Sequence, residues 1–403
     1  MYRVLSVFGT RPEAIKMAPV VRTLAAMPSL EARIAVTAQH RDMLDGVLHL
    51  FSIRPDYDLD LMRSGQGLAG MTGAMLAGLD PVLADFAPDL LLVHGDTTTT
   101  LAAALAAYYR RIPVGHVEAG LRSGTIHAPW PEEINRKMAG AIARLHFAPT
   151  QEARANLLNE NVPDAHIFVT GNTVIDALKE IVARLEADPR LCARLDRSLG
   201  IDPARRLILV TGHRRENHGG GLERICEALS HLARRDDVDI FCPLHPNPDV
   251  QGTVAHRLGH LPAVRILPPQ DYLTFVHLMR RATLILTDSG GVQEEAPTLG
   301  KPVLLMRDCT ERPEAVKAGA VRLLGTDSGQ ILSQVARLLD DDSAYREMAR
   351  PVALYGDGKA AYRIGEAVQE FLARGESAAP ECGRSSPNHE PVAGFGCPSR
   401  ASD

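Results

Sequence analysis

The sequence predicts an α/β protein made of two doubly wound parallel-sheet domains that face each other across a cleft. Three observations predict it. The chain has 403 residues, more than the roughly 250 to 300 at which a single core usually divides. Short apolar runs alternate with amphipathic stretches along most of its length, the pattern of βα units stacked into sheets covered on both faces. A charged helical stretch over 174–199 separates one set of such units from a second.

Strands are expected in the first set at 2–8, 32–38, 89–94, 113–117, 145–148 and 166–169. The second set follows at 207–211, 238–242, 264–267, 283–287, 302–305 and 319–324. Residues 1–172 and 173–356 are the expected domains, and 357–374 reads as a final helix. Residues 375–403, rich in Pro, Ser, Gly and Ala with little apolar periodicity, are expected to form a disordered tail.

Composition narrows the ligand. Aromatic residues are 4% of the chain, too few to suggest stacking platforms for single-stranded nucleic acid. Lys and Arg number 44 against 49 Asp and Glu, so there is no basic excess for a nucleic-acid backbone. The expected anionic ligand is small. No run of about 18 apolar residues predicts a membrane span, and the apolar opening at 2–8 turns polar at Gly9-Thr10-Arg11, too soon for a signal-peptide core. Cys192, Cys226, Cys242, Cys309, Cys382 and Cys397 show neither Cys-x-x-Cys nor zinc spacing. They read as free thiols in a reducing, cytoplasmic setting, and no metal or cofactor is expected.

Parallel sheets bind ligands beyond the carboxyl ends of their strands, so the strand ends carry the chemistry. The first strand runs into Gly9-Thr10-Arg11-Pro12-Glu13-Ala14-Ile15-Lys16. Glycine permits the turn and Pro12 suits a first helical turn. The free N–H groups of that helix, with Arg11 and Lys16, would favour a diphosphate, unless both cations simply decorate a solvated first turn. The third strand leads into His94-Gly95-Asp96 and four threonines, Thr97 to Thr100. Asp96 stands where a helix N-cap would, and capping competes evenly with function there. Threonines are poor helix formers, so this loop looks chosen for its hydroxyls.

Two further carboxylate sites follow. Val117-Glu118-Ala119-Gly120 ends the next strand with a bend at Gly120, and Trp130-Pro131-Glu132-Glu133 opens a helix. Acids in a first turn complement the helix dipole in any case, but three carboxylate sites at three cleft-facing positions suggest acid/base work. Trp130 reads as core packing or a loop anchor. In the second half, Gly212-His213-Arg214-Arg215-Glu216 with Gly219 to Gly221 is a cationic, glycine-rich loop without the P-loop spacing. His213 leaves a buried strand directly and is a better acid/base or phosphate candidate than His218. In Asp288-Ser289-Gly290-Gly291-Val292-Gln293-Glu294-Glu295, backbone N–H groups can cradle a phosphate. Glu295 is placed for a ribose, whereas Glu294 points about 100° away. Arg312 is another phosphate candidate.

Taken in order, Gly9-Thr10-Arg11-Pro12-Glu13, His94-Gly95-Asp96, Val117-Glu118-Ala119-Gly120-Leu121-Arg122, Pro131-Glu132-Glu133, Gly212-His213-Arg214-Arg215-Glu216 and Asp288-Ser289-Gly290-Gly291 resemble the non-hydrolysing UDP-N-acetylglucosamine 2-epimerases over about residues 2–372. The resemblance implies a glycosyltransferase-B-like pair of Rossmann-like domains, with helix 357–374 crossing back to complete the first. It implies a homodimer that interconverts UDP-N-acetylglucosamine and UDP-N-acetylmannosamine through elimination and re-addition of UDP, for bacterial surface polysaccharides. Carried over by motif, Asp96, Glu118, Glu132 and His213 form the catalytic set. Arg11, Lys16 and Arg312 attend the diphosphate, Gln270 and Phe275 the uracil, and Ser289, Gly290, Gly291 and Glu295 the phosphate and ribose. From position alone Phe275 reads as core. A second, activating site through Gln39, His40 and Glu133 is also implied, although Asp42 and Gly65 stand where some members carry glutamine and arginine.

Rival readings are a hydrolysing epimerase that releases N-acetylmannosamine, a retaining glycosyltransferase of the same fold, and a UDP-sugar-binding regulator. A pure binder needs no spare acid/base groups, and four are present.

Overall fold

The computed structural model describes residues 1–38, 41–61, 65–212, 220–244 and 247–375, apart from the side chains of residues 42, 248 and 249. Its first set of strands comprises β1 (Tyr2–Phe8), β2 (Leu30–Val36), β3 (Tyr57–Asp58), β4 (Leu90–His94), β5 (Val114–Val117), β6 (Leu145–Ala148) and β7 (Ile167–Val169). They form one sheet in the order β3-β2-β1-β4-β5-β6-β7. The second set comprises β8 (Arg206–Thr211), β9 (Val238–Pro243), β10 (Val264–Leu267), β11 (Leu284–Thr287), β12 (Val303–Leu305) and β13 (Val321–Leu323). Its order is β10-β9-β8-β11-β12-β13, and both sheets are parallel throughout.

Each expected strand forms, with small shifts at β2 and β13. The short edge strand β3 was not expected. Two residues offer neither an apolar run nor an alternation to read, and β3 exists because β2 supplies a partner for Tyr57 and Asp58.

The helices of the first half are α1 (Arg11–Ala25), α2 (Arg41–Leu50), α3 (Leu68–Phe86), α4 (Thr98–Tyr109), α5 (Glu132–Ile142) and α6 (Gln151–Asn159). Then come α7 (Thr173–Ala187), α8 (Pro189–Leu199), α9 (Gly220–Leu232), α10 (Pro248–Leu258), α11 (Tyr272–Arg281) and α12 (Gly290–Thr298). The last are α13 (Pro313–Lys317), α14 (Ser328–Asp340), α15 (Asp342–Met348) and α16 (Ala360–Ala373). Strands such as β4 are buried along their whole length, because helices cover both faces. The Ala-rich α4 buries Ala102, Ala103, Ala104, Ala106 and Ala107 and packs between α3 and α5.

In each sheet the winding reverses once, at β1/β4 and at β8/β11. Neighbouring βα loops part at such a reversal and leave a crevice at the carboxyl ends of the strands. Segments 171–172 and 355–356, which precede α7 and α16, cross side by side. Asn172 N donates to Tyr355 O at 2.6 Å, and a Cβ on Gly171 would stand 3.1 Å from Gly356 Cα. Glycine is what lets the two segments cross this closely, and both sit at positive φ, +89° and +132°. Beyond the crossing, α16 packs on α1 and α7.

Among the described residues no helix is long and apolar enough to cross a membrane. Cys226 and Cys242 are buried, Cys192 is half-buried and Cys309 exposed, all as free thiols. Cys382, Cys397 and the expected tail past Gly375 lie outside the described residues.

Candidate active site

The two crevices meet in one cleft of about 470 Å³. Its first wall carries Arg11 and Lys16 from the start of α1, Asp96 after β4, Glu118 after β5, and Glu132 and Arg136 from α5. Its second wall carries Gln270, Tyr272 and Phe275 around the start of α11, Ser289, Gly290, Gly291 and Glu295 around the start of α12, and Arg312. Twelve residues singled out from sequence thus share one cavity. His213, Gln39 and His40 lie outside the described residues. Glu133 is fully buried rather than exposed to the cleft.

Helix α1 opens on the cleft because its start is tightly organised. Thr10 caps it, and the Glu13 carboxylate accepts from Thr10 N at 2.7 Å and Gly9 N at 3.0 Å, a capping box. Thr97 Oγ1 donates to the other oxygen of Glu13 at 2.6 Å, which locks the loop after β4 against the loop after β1. Arg11 and Lys16 therefore project from a fixed turn.

Lys16 bonds Glu118, and its Nζ lies 3.5 Å from Glu294 Oε2. Burial opposes the lysine's charge, but the two carboxylates outweigh it and its pKa stands above the ordinary value. Burial would likewise raise the pKa of Glu118, yet Lys16 and Arg312 hold it well below the usual carboxylate range. Glu118 adopts φ +62°, a left-handed conformation that costs a non-glycine residue on the order of 1–3 kcal/mol. The conformation turns the side chain from the end of β5 into the cleft, and Asn172 Nδ2 donates to it at 2.7 Å. The bend expected at Gly120 follows at φ +90°, where a Cβ would strike Ala153 O.

Asp96 corrects the sequence reading in one respect. The N-cap of α4 is Thr97, whose hydroxyl accepts from Thr100 N at 3.2 Å. Asp96 is left to bond Arg136 instead. Either residue type can cap, and the backbone placed the cap one position later. The threonines serve the loop more than the ligand: Thr100 bonds His94 O at 2.5 Å and Thr99 meets Thr37 at 2.9 Å. Arg136 NH1 also reaches Glu133 at 3.1 Å, and Glu133 Oε2 accepts from Ser123 N at 3.1 Å. Glu133 thus stands behind Asp96 through a shared arginine. Glu132 lines the cleft with an Oε2 that has no hydrogen-bond partner among the described residues. Trp130 is 58% exposed and not part of the core.

On the opposite wall the N-terminus of α12 presents backbone N–H groups, with Ser289 as cap. Gly290 makes room for Arg312, since a Cβ there would come 2.7 Å from Arg312 NH1 and displace the guanidinium. Arg312 Nε donates to Glu294 at 2.5 Å and its NH1 to Glu311 at 2.6 Å. Glu295 accepts from Tyr272 OH at 2.7 Å, and burial pushes its pKa up to about 7. Burial also lowers the pKa of Arg11, against the pull of Asp271 and Glu295. Phe275 is half-buried and faces the cleft as well as the core.

Several residues of this site were not found from sequence. Asn172, Glu294 and Arg136 act through partners distant in the chain, whereas Glu133 was in view from sequence as part of a second site and is paired locally, with Arg136 and Ser123. His94 was in view as part of His94-Gly95-Asp96, where leaving a buried strand was the same signal that singled out His213. Its ring lines the cleft, its Nε2 is 3.8 Å from Glu118 Oε2, and neither nitrogen has a hydrogen-bond partner among the described residues. Burial brings its pKa down to about 4 and keeps it neutral. Among the described residues no group of three His, Cys, Asp or Glu could hold a metal ion.

Carboxylates and a neutral imidazole on one wall, with cations and helix N–H groups around them, can move a proton beside a bound anion. The family model described as UDP-N-acetylglucosamine 2-epimerase matches residues 22–369. The UDP-N-acetylglucosamine 2-epimerase of Escherichia coli (strain K12) is 58% identical over 369 residues, covering 91% of this chain and 98% of that one. A probable UDP-N-acetylglucosamine 2-epimerase of Ralstonia solanacearum is 56% identical over 375 residues, 93% of this chain and all of its own. The crystal structure of UDP-GlcNAc 2-epimerase from Neisseria meningitidis bound to UDP-GlcNAc superposes with a TM-score of 0.89 at 46% identity, covering 91% of this chain and 100% of that one.

Proposed function

The chain belongs to the UDP-N-acetylglucosamine 2-epimerase family, and from that premise we propose how its cleft interconverts UDP-N-acetylglucosamine and UDP-N-acetylmannosamine. The C2 hydrogen of the sugar has no carbonyl beside it, so its simple removal is too slow. Elimination solves the difficulty. A base takes the C2 proton as the C1–O bond breaks, its electron pair leaves with UDP, and C1 and C2 become doubly bonded in 2-acetamidoglucal. The UDP oxygen then returns to C1 while a proton is delivered to C2 from the other face. Nothing is oxidised and nothing is lost.

The observation that carries this reading is the convergence of Glu118 and Glu132 on a cavity whose other wall is built for an anion. Arg11, Lys16, Arg312 and the N-terminus of α12 attend the diphosphate, Glu295 the ribose, and Gln270 with Phe275 the uracil. The arriving diphosphate draws Lys16 away from Glu118. Having lost its main partner, the carboxylate gains proton affinity as the C2–H reaches it. Glu118 serves one face of the sugar and Glu132 the other, while Asp96, gripped by Arg136, positions the sugar. His94 offers the substrate a neutral hydrogen bond. The part given to His213, on the departing diphosphate, rests on the family pattern.

The test is turnover of UDP-N-acetylglucosamine in deuterated water. Both epimers should accumulate with deuterium at C2, and Glu118→Gln or Glu132→Gln should abolish the exchange while UDP still binds. Free N-acetylmannosamine as the main product would mean hydrolysis, and binding without exchange would leave a UDP-sugar binder.

We also propose a homodimer. Tyr108 and Tyr109 at the end of α4 are 61% and 70% exposed, and Ile134 and Met138 of the adjoining α5 are exposed too. Such a patch favours burial against a second copy. Sedimentation at twice 43.6 kDa, lost in Tyr109→Glu, is the expected result, and a wild-type monomer would exclude it.

A further inference from the structure

We propose that Glu294 is a positioning residue that shares Lys16 with Glu118 and so ties the proton-abstracting carboxylate of the first domain to Arg312 in the second. The proposal rests on Glu118 being a proton carrier, as given above. Glu294 comes from α12 and its side chain is 1% exposed. It acts only through other residues.

Both of its oxygens are committed. Oε1 accepts from Arg312 Nε at 2.5 Å. Oε2 accepts from Asn172 Nδ2 at 3.1 Å and lies 3.5 Å from Lys16 Nζ. The same Asn172 amide donates to Glu118 Oε2 at 2.7 Å, so the residue at the crossing between the domains joins the two carboxylates. Lys16 and Arg312 would each have a partner without Glu294, in Glu118 and Glu311. A third buried carboxylate is therefore not needed to neutralise either cation, and its desolvation is unfavourable.

What Glu294 changes is the grip on Lys16. A cation shared between two carboxylates is held less firmly by each, and the nearby like charge raises the proton affinity of Glu118. With Glu294 neutral, Lys16 and Arg312 would bear more heavily on Glu118 and leave it a weaker base. The same loss would leave both cations freer to hold a diphosphate. Rate and affinity therefore separate.

The experiment compares Glu294→Gln, Glu294→Asp and Glu294→Ala with the wild type, measuring kcat, KM, UDP affinity by calorimetry and thermal stability. Glu294→Gln should lower kcat by about 10- to 100-fold with KM unchanged or lower. Glu294→Asp, which keeps the charge, should recover most of kcat. Glu294→Ala, which removes the charge without introducing an amide, should show the same split and decides the matter if Glu294→Gln does not fold. A wild-type kcat in Glu294→Gln overturns the proposal, as does a fall in kcat, UDP affinity and stability together. Glu118→Gln separates the two readings. If it stays active the role given to Glu118 fails, and if it is inactive while Glu294→Gln is unaffected only the present inference fails.

Discussion

Arg136 of α5 bonds Asp96 at the end of β4, and the same guanidinium reaches the fully buried Glu133. Removing one partner of a buried ionic cluster leaves charge without compensation. Arg136→Ala is therefore expected to lower stability by about 3–5 kcal/mol in urea unfolding, and Glu133→Gln added to it should restore part of the loss. Equal stability of Arg136→Ala and wild type would remove the supporting role assigned to this arginine.

Glu295 titrates near neutrality because burial raises its pKa to about 7. Accepting both hydroxyls of a ribose requires the ionised form, so uridine should bind more weakly at pH 6 than at pH 8, by up to about tenfold. Glu295→Gln should bind weakly at both. Uridine, which lacks phosphate, keeps the ligand's own titration out of the measurement. A pH-independent affinity in the wild type would refute the assignment.

Acid should destabilise the fold through its buried histidines. Burial lowers the pKa of His94 and His146 to about 4 and that of His116 to about 3. The folded-state values lie below the unfolded one, so the unfolded chain binds more protons as pH drops below about 6.5. Stability is complete above that pH and is lost as pH falls towards 4, by roughly 3 kcal/mol or less for each histidine. Glu13, Asp176 and Glu295, raised by burial rather than lowered, act in the opposite sense, and the profile is the balance of the two sets. Urea midpoints measured from pH 7.5 to pH 4.5 should fall steadily, and a flat profile would contradict the account.

The strands were legible because parallel strands covered on both faces are written as short apolar runs, as in Leu90 to Val93. The candidate site was legible wherever it sits at a strand end, as Asp96, Glu118 and Ser289 do. The rest lies in pairings between distant residues. Asn172 is 54 positions from Glu118 and 122 from Glu294, and Arg136 is 40 from Asp96. Nothing local distinguishes such residues from an ordinary helix cap or a surface arginine. The misplaced cap at Asp96 has a different origin, since Asp and Thr compete for the same backbone N–H groups and the sequence contains both in succession.

Gly290 allows a prediction about the phosphate wall. A methyl group at this position would press on Arg312, 2.7 Å away, and move the guanidinium from the N-terminus of α12. Gly290→Ala should weaken UDP binding by about 10-fold or more with little change in uridine binding. Calorimetry with both ligands checks it, and an unchanged UDP affinity would place the diphosphate elsewhere.

The central claim is that the C1–O bond breaks and re-forms each time C2 inverts. UDP-N-acetylglucosamine carrying oxygen-18 in the bridge between C1 and phosphorus, incubated with the enzyme in deuterated water and followed by NMR, tests it most directly. The account predicts that the label spreads into the non-bridging positions of the β-phosphate while deuterium enters C2. Inversion at C2 with the label still in the bridge would contradict it.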